Sequence, residues 1–82
     1  MEMLDAEVIH LLKFYDQTYA QILQGQMTTI EMPTKALELG DTLCLSLIDE
    51  HKNILEWVFA TVVAKVTHAK YPNMIIDFEL VE

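Results

Sequence analysis

Thr28, Thr29 and Glu31 place two hydroxyls and a carboxylate in one short stretch of chain. Such a set suits the donor and acceptor edge of a nucleobase or an amide. It suits a phosphate poorly, because the carboxylate repels an anion and the chain has no arginine to compensate. Lys35, just beyond Pro33, is the cation nearest to them in sequence. His10, His51 and His68 have neither a His-x-x-x-His spacing nor a Cys-x-x-Cys companion, so a metal centre would need chance convergence and none is expected. Cys44 and His68 have the types of a nucleophile and its base. Cys44 nevertheless alternates within an apolar run, where a buried structural thiol is the plainer reading. Trp57 has the face to stack a base, but its size favours covering one end of a small core. No cofactor is implied.

The composition narrows the partners. With 82 residues, the chain has room for one domain, residues 1–82. Thirteen acidic against five basic side chains give a formal charge of -8, and every basic residue is a lysine. Duplex nucleic acid is therefore not an expected partner, since affinity for it comes largely from neutralising phosphates. A single base or nucleoside stays open. The lone Cys44 points to a reducing compartment, so the cytoplasm is expected. No apolar run approaches the ~20 residues that span a bilayer, and Met1 to Asp5 carries two acids and no basic region, so neither a membrane span nor a secretory signal is expected.

The elements that must position these residues read as follows. Val8, Leu11, Leu12, Tyr15, Tyr19, Ile22 and Leu23 fit a helical stripe over Glu7 to Gln24. Val8 to Tyr15 fits equally a mostly buried strand, with Asp16 capping a shorter helix that Gly25 ends. Met27 to Met32 is β-compatible and stops at Pro33, and a polar loop closes on Gly40-Asp41. Thr42 to Ile48 alternates, Asp49 to Asn53 is turn-rich, and Ile54 to Val66 is a long strand. Its Val58, Ala60, Val62, Ala64 and Val66 share a face opposite Phe59, Thr61, Val63 and Lys65, which predicts cover on both sides. Met74 to Val81 is the last strand, with Asp77 and Glu79 outward. The sum is a small α+β domain: one main helix and a strongly curved, mostly antiparallel sheet or partial barrel whose closure hides its edges.

Lys13-Phe14-Tyr15, then Ile22-Leu23-Gln24-Gly25, Thr28-Thr29-Ile30, and Gly40-Asp41-Thr42-Leu43 resemble, in that order, the landmarks of ASCH domains in the PUA-like superfamily. The likeness is greatest to the small bacterial N(4)-acetylcytidine amidohydrolases, and Tyr71-Pro72 through Phe78-Glu79 is similar to their C-terminal end. It covers residues 12–82. The resemblance implies a PUA-like β-barrel and selects strand followed by helix for the first ambiguous stretch. It also implies that the segment after Gly25 lines a cleft for a nucleobase or similar small molecule.

The chain departs from the family where the chemistry sits. Two residues after the helix-ending glycine the amidohydrolases have a lysine, five after it a threonine and seven after it an arginine; here these are Met27, Ile30 and Met32. A thioether has no proton to exchange, and isoleucine has no hydroxyl to activate. The helical insertion that carries the family's catalytic glutamate is missing between Val66 and Tyr71. A β-bulge shifting the register by one would bring Thr29 and Glu31 toward the expected places without restoring the lysine.

The expectation is a non-catalytic module that binds a nucleoside-like ligand or a protein partner at residues 25–32, through Thr28, Thr29, Glu31 and Lys35. A second class is an acidic interaction module or nucleic-acid mimic, using Glu31, Glu38, Asp41, Asp49, Glu50 and Glu56. A third is an amidohydrolase with rearranged residues. An open polar cleft at Gly25 to Met32 favours the first; a cleft plugged by Met27 and Met32 favours the second.

Overall fold

The computed structural model describes residues 9–81, so the predicted strand start at Val8 lies outside the described residues. Ile9–Phe14 forms β1 and Asp16–Leu23 forms α1, the strand-then-helix order. Tyr15, not Asp16, occupies the cap position, and no side chain caps the helix there. Asp16 instead sits in the first turn, where its charge complements the positive end of the helix dipole. The far end is closed by backbone alone. Gln26 N donates to Gln21 O at 2.9 Å and Gly25 N to Ile22 O at 3.1 Å, the paired bonds of a Schellman turn. That turn requires a left-handed residue, and Gly25 supplies φ 76°.

β2 (Thr29–Pro33), β3 (Thr42–Ile48), β4 (Ile54–Val66) and β5 (Asn73–Leu80) complete one sheet in the order β1-β3-β4-β5-β2. β1 runs parallel to β3, because α1, β2 and the 34–41 loop carry the chain back to the same end; the other pairings are antiparallel. The sheet is therefore mixed, and it curls into a half-barrel with α1 contributing to its concave side. The predicted closure does not occur, and β1 and β2 stand at the two edges. The core fills the concavity: Ile22 of α1 meets Leu43, Leu45, Val62, Ile76 and Phe78 from the central strands. Leu37, in the loop before β3, is fully buried and closes one end.

β4 departs from its predicted alternation. Its pairing with β5 shifts between Val62 and Ala64, so Lys65 comes opposite the buried Ile76 and Val66 turns outward. Lys65 Nζ then donates to Leu37 O at 2.9 Å, tying the loop to the sheet. The predicted cover on both sides of β4 is also absent. Trp57 is 55% and Phe59 41% exposed, so Trp57 does not cap the core. One helix shields only one face of a sheet, and here it shields the concave one. Among the described residues no helix is long and apolar enough to cross a membrane.

Candidate functional site

The end of α1 and the turn after it stand against β5 and leave a cleft of about 350 Å³. Ile22, Gly25, Met27 and Thr28 form one side, and Phe78, Glu79 and Leu80 the other. Two devices fix its shape. The Schellman turn sets the path of residues 24–27, with Met27 N also reaching Gln21 O at 3.2 Å. Phe78 N then donates to Thr28 O at 3.0 Å, which pins the segment to β5 one residue before β2 begins. Most of the lining is apolar, and the Thr28 hydroxyl adds one donor-acceptor, with Glu79 at the strand edge beside it. A few polar groups on apolar walls is the usual make-up of a small-molecule site.

Met32 does not plug this cleft, because it faces inward and is buried in the core. Met27 is half-buried, packs against the core and forms part of the cleft wall. Among Thr28, Thr29, Glu31 and Lys35, the structure places only Thr28 at the cleft. Strand alternation turns Thr29 and Glu31 to the opposite side of β2 from the core residue Met32. Thr29 pairs with Asp77. Glu31 accepts from Asn73 Nδ2 at 2.9 Å and borders a separate hollow of about 300 Å³ with Tyr71, Asn73 and Ile75. Lys35 is exposed in the loop after β2. The register from Thr29 opposite Asp77 to Pro33 opposite Asn73 is continuous, so no bulge displaces Thr29 or Glu31 within β2.

The other chemistry-bearing side chains are occupied locally. His10 Nε2 lies 2.9 Å from Asp41 Oδ2, with the ring as donor because a carboxylate only accepts. The same oxygen accepts from Glu38 N at 3.0 Å. The Glu38 amide first, and His10 second, hold the Asp41 pKa below its ordinary value. Asp49 binds its own turn, accepting from His51 N at 2.8 Å and Asn53 N at 2.9 Å, and its pKa is lowered chiefly by the Asn53 amide. Cys44 Sγ contacts Ser46 Oγ at 3.6 Å, while His68 packs on Tyr71 and accepts from Lys70 N, so they form no nucleophile pair. Cys44 is half-buried on the outer side of β3 and is not a core thiol. The Tyr19 hydroxyl is buried beside Glu56; burial first, then the interaction with the Glu56 carboxylate, pushes its pKa up to about 12. Among the described residues, no three His, Cys, Asp or Glu gather as a metal centre would need.

A larger hollow, about 410 Å³, lies among Tyr15, Asp16, Leu47, Ile48, Asp49, Glu50 and Leu55. Its carboxylates bring like charges together, and that of Asp49 is already engaged. The smaller cleft is the better candidate because its polar groups sit on a fixed apolar frame. Glu79 is the lining residue that sequence reasoning did not select. It reads as a solvated outward position of the last strand, and only the pairing of Phe78 with Thr28 brings it to the cleft. Compared with known proteins, the chain matches no protein-family model and no curated protein sequence.

Proposed function

We propose that this chain is a small ASCH-like binding module that holds a nucleobase-like or nucleoside-like molecule in the cleft between Gly25–Thr28 and Phe78–Leu80 and does not turn it over. The observation that carries the reading is the open cleft at the segment after Gly25, with apolar walls and the Thr28 hydroxyl at its rim. Thr28 offers a donor-acceptor on apolar walls with no cation beside it, which fits the edge of a base better than an anion. Catalysis is disfavoured by the residue types: Met27 lines the cleft where the family resemblance calls for a lysine. Loss of one positioned proton-transfer group commonly costs about 100- to 10,000-fold. Hydrolysis of N(4)-acetylcytidine is expected to stay at background.

The acidic-mimic reading has less support. Asp41 and Asp49 are held in turn and loop geometry, and Glu31 is bonded to Asn73, which removes them from a freely presented anionic surface.

Thermal-shift measurements with cytidine, N(4)-acetylcytidine, uridine, adenosine and their free bases test the proposal. A ligand at 100 times its dissociation constant adds about 2.7 kcal/mol, so a true ligand raises Tm by roughly 10 °C or more in a domain of this size. Thr28→Val should reduce that shift. A flat response to the whole set rejects a nucleoside-like ligand.

A further inference from the structure

The convex side of the sheet divides into two halves of opposite character. Outward positions of β2 and β5 include Glu31, Asp77 and Glu79. Outward positions of β1, β3 and the first half of β4 include Ile9, Leu11, Trp57 and Phe59, with Lys13 the only charged side chain among them in the described residues. Val81 joins this half, since its amide donates to Phe59 O at 2.8 Å and the two side chains share a shallow groove of about 240 Å³ with Ile9 and Thr42. Half-exposed apolar side chains of these sizes present roughly 500 Å², in the upper part of the range that monomers leave uncovered.

We infer that this apolar half is a self-association surface, covered by a second copy of the same chain in a two-fold, face-to-face dimer. Two such patches would remove about 1,000 Å² from water, the least that a specific interface should clear. A two-fold arrangement needs a self-complementary patch, and an apolar face with little charge, carrying the shallow groove at Ile9, Thr42, Phe59 and Val81, meets that condition. The charge distribution agrees with this arrangement. Each copy carries a formal charge of -8, yet the outward acids of β2 and β5 lie on the other half, so this docking mode holds them apart. Trp57 is the expected anchor, being the largest side chain on the face, with Leu11 and Phe59 beside it. The inference is independent of the ligand cleft, which involves other residues.

Sedimentation velocity of the full chain from about 1 to 500 μM tests it, because an interface at this lower bound implies micromolar dissociation constants. A monomer-dimer equilibrium is expected, tightening as salt screens the like charges. Trp57→Glu and Leu11→Lys should each weaken it by about 30-fold or more, with far-UV circular dichroism unchanged because both positions are exposed. Cys44 lies on the same outer side of β3. In the unmodified protein its reaction rate with a thiol reagent should fall as the dimer fills, a readout that requires no variant to fold. A single monomer mass across the whole range overturns the inference, as does a dimer indifferent to both substitutions. A monomer whose Cys44 becomes faster-reacting on deletion of residues 1–8 also overturns it, and assigns the face to the chain's own N-terminal segment.

Discussion

On the concave side of β3 and β4, Leu43, Leu45 and Ala60 are 0% exposed, whereas on the convex side of β4 Trp57 is 55% and Phe59 41% exposed. The two faces are made of similar residue types on the same strands. What separates them is the helix: α1 places Ile22 into the concavity, and nothing among the described residues plays that part on the convex side. In a chain this short, a sheet that curls without closing fills one face and leaves much of the other open. On the proposals above, the mixed, shaped cleft at the end of α1 is the small-molecule site and the apolar half of the convex side the protein surface.

The largest expected effect breaks the symmetry of composition between the faces. Leu45→Ala should cost about 2–5 kcal/mol in urea unfolding, as a cavity in a close-packed core does. Leu11→Ala, on the strand next to Leu45's own, should stay within about 0.5 kcal/mol when the protein is dilute. If the two costs were equal, the distinction between a filled and an open face would fail.

Gly25→Ala should cost about 1–2 kcal/mol, because the left-handed conformation penalises a Cβ. No atom lies near enough to clash with that Cβ, so the effect is conformational. A cost near zero would mean that the cleft segment is not held by its turn. Tyr19→Phe removes a buried hydroxyl that titrates only at high pH because of its burial and the Glu56 carboxylate beside it. The Tyr19 pKa is raised, so its contribution is fully present below the usual tyrosine value of about 10 and is lost as pH rises through about 12. The alkaline limb of a stability-pH curve should therefore flatten in Tyr19→Phe.

The smallest effect is at acid pH. Asp41 has a lowered pKa, so its share of stability is present above the usual aspartate value near about 4 and is lost as pH falls through the folded value. Asp41→Asn should flatten that acid loss, measured by circular dichroism from neutral pH downward. An unchanged acid limb would show that the His10 and Glu38 contacts do not hold the start of β3.

Most strand positions were legible because turn chemistry brackets them: Gly25 after α1, Gly40-Asp41 before β3 and Asp49 to Asn53 between β3 and β4. The bulge in β4 was not legible. Alternation over Val58 to Val66 carries no mark of an extra residue, and only pairing with β5 exposes it. Nor could hydrophobicity tell Phe59 and Trp57 from core residues, since a strand covered on both sides and one covered on a single side by apolar neighbours read alike. At the candidate site, Thr28 was found through its neighbourhood to Gly25. Glu79 was missed because its place depends on a contact between residues far apart in sequence.

The central claim is that the cleft between Gly25–Thr28 and Phe78–Leu80 receives a nucleoside-like molecule. It is tested most directly by titrating cytidine and N(4)-acetylcytidine into uniformly ¹⁵N-labelled protein and following the amide resonances. The account predicts saturable shifts centred on Gly25, Met27, Thr28, Phe78 and Glu79, weakened in Thr28→Val. No shift at millimolar nucleoside, or shifts centred instead on Leu11, Trp57 and Phe59, would contradict it.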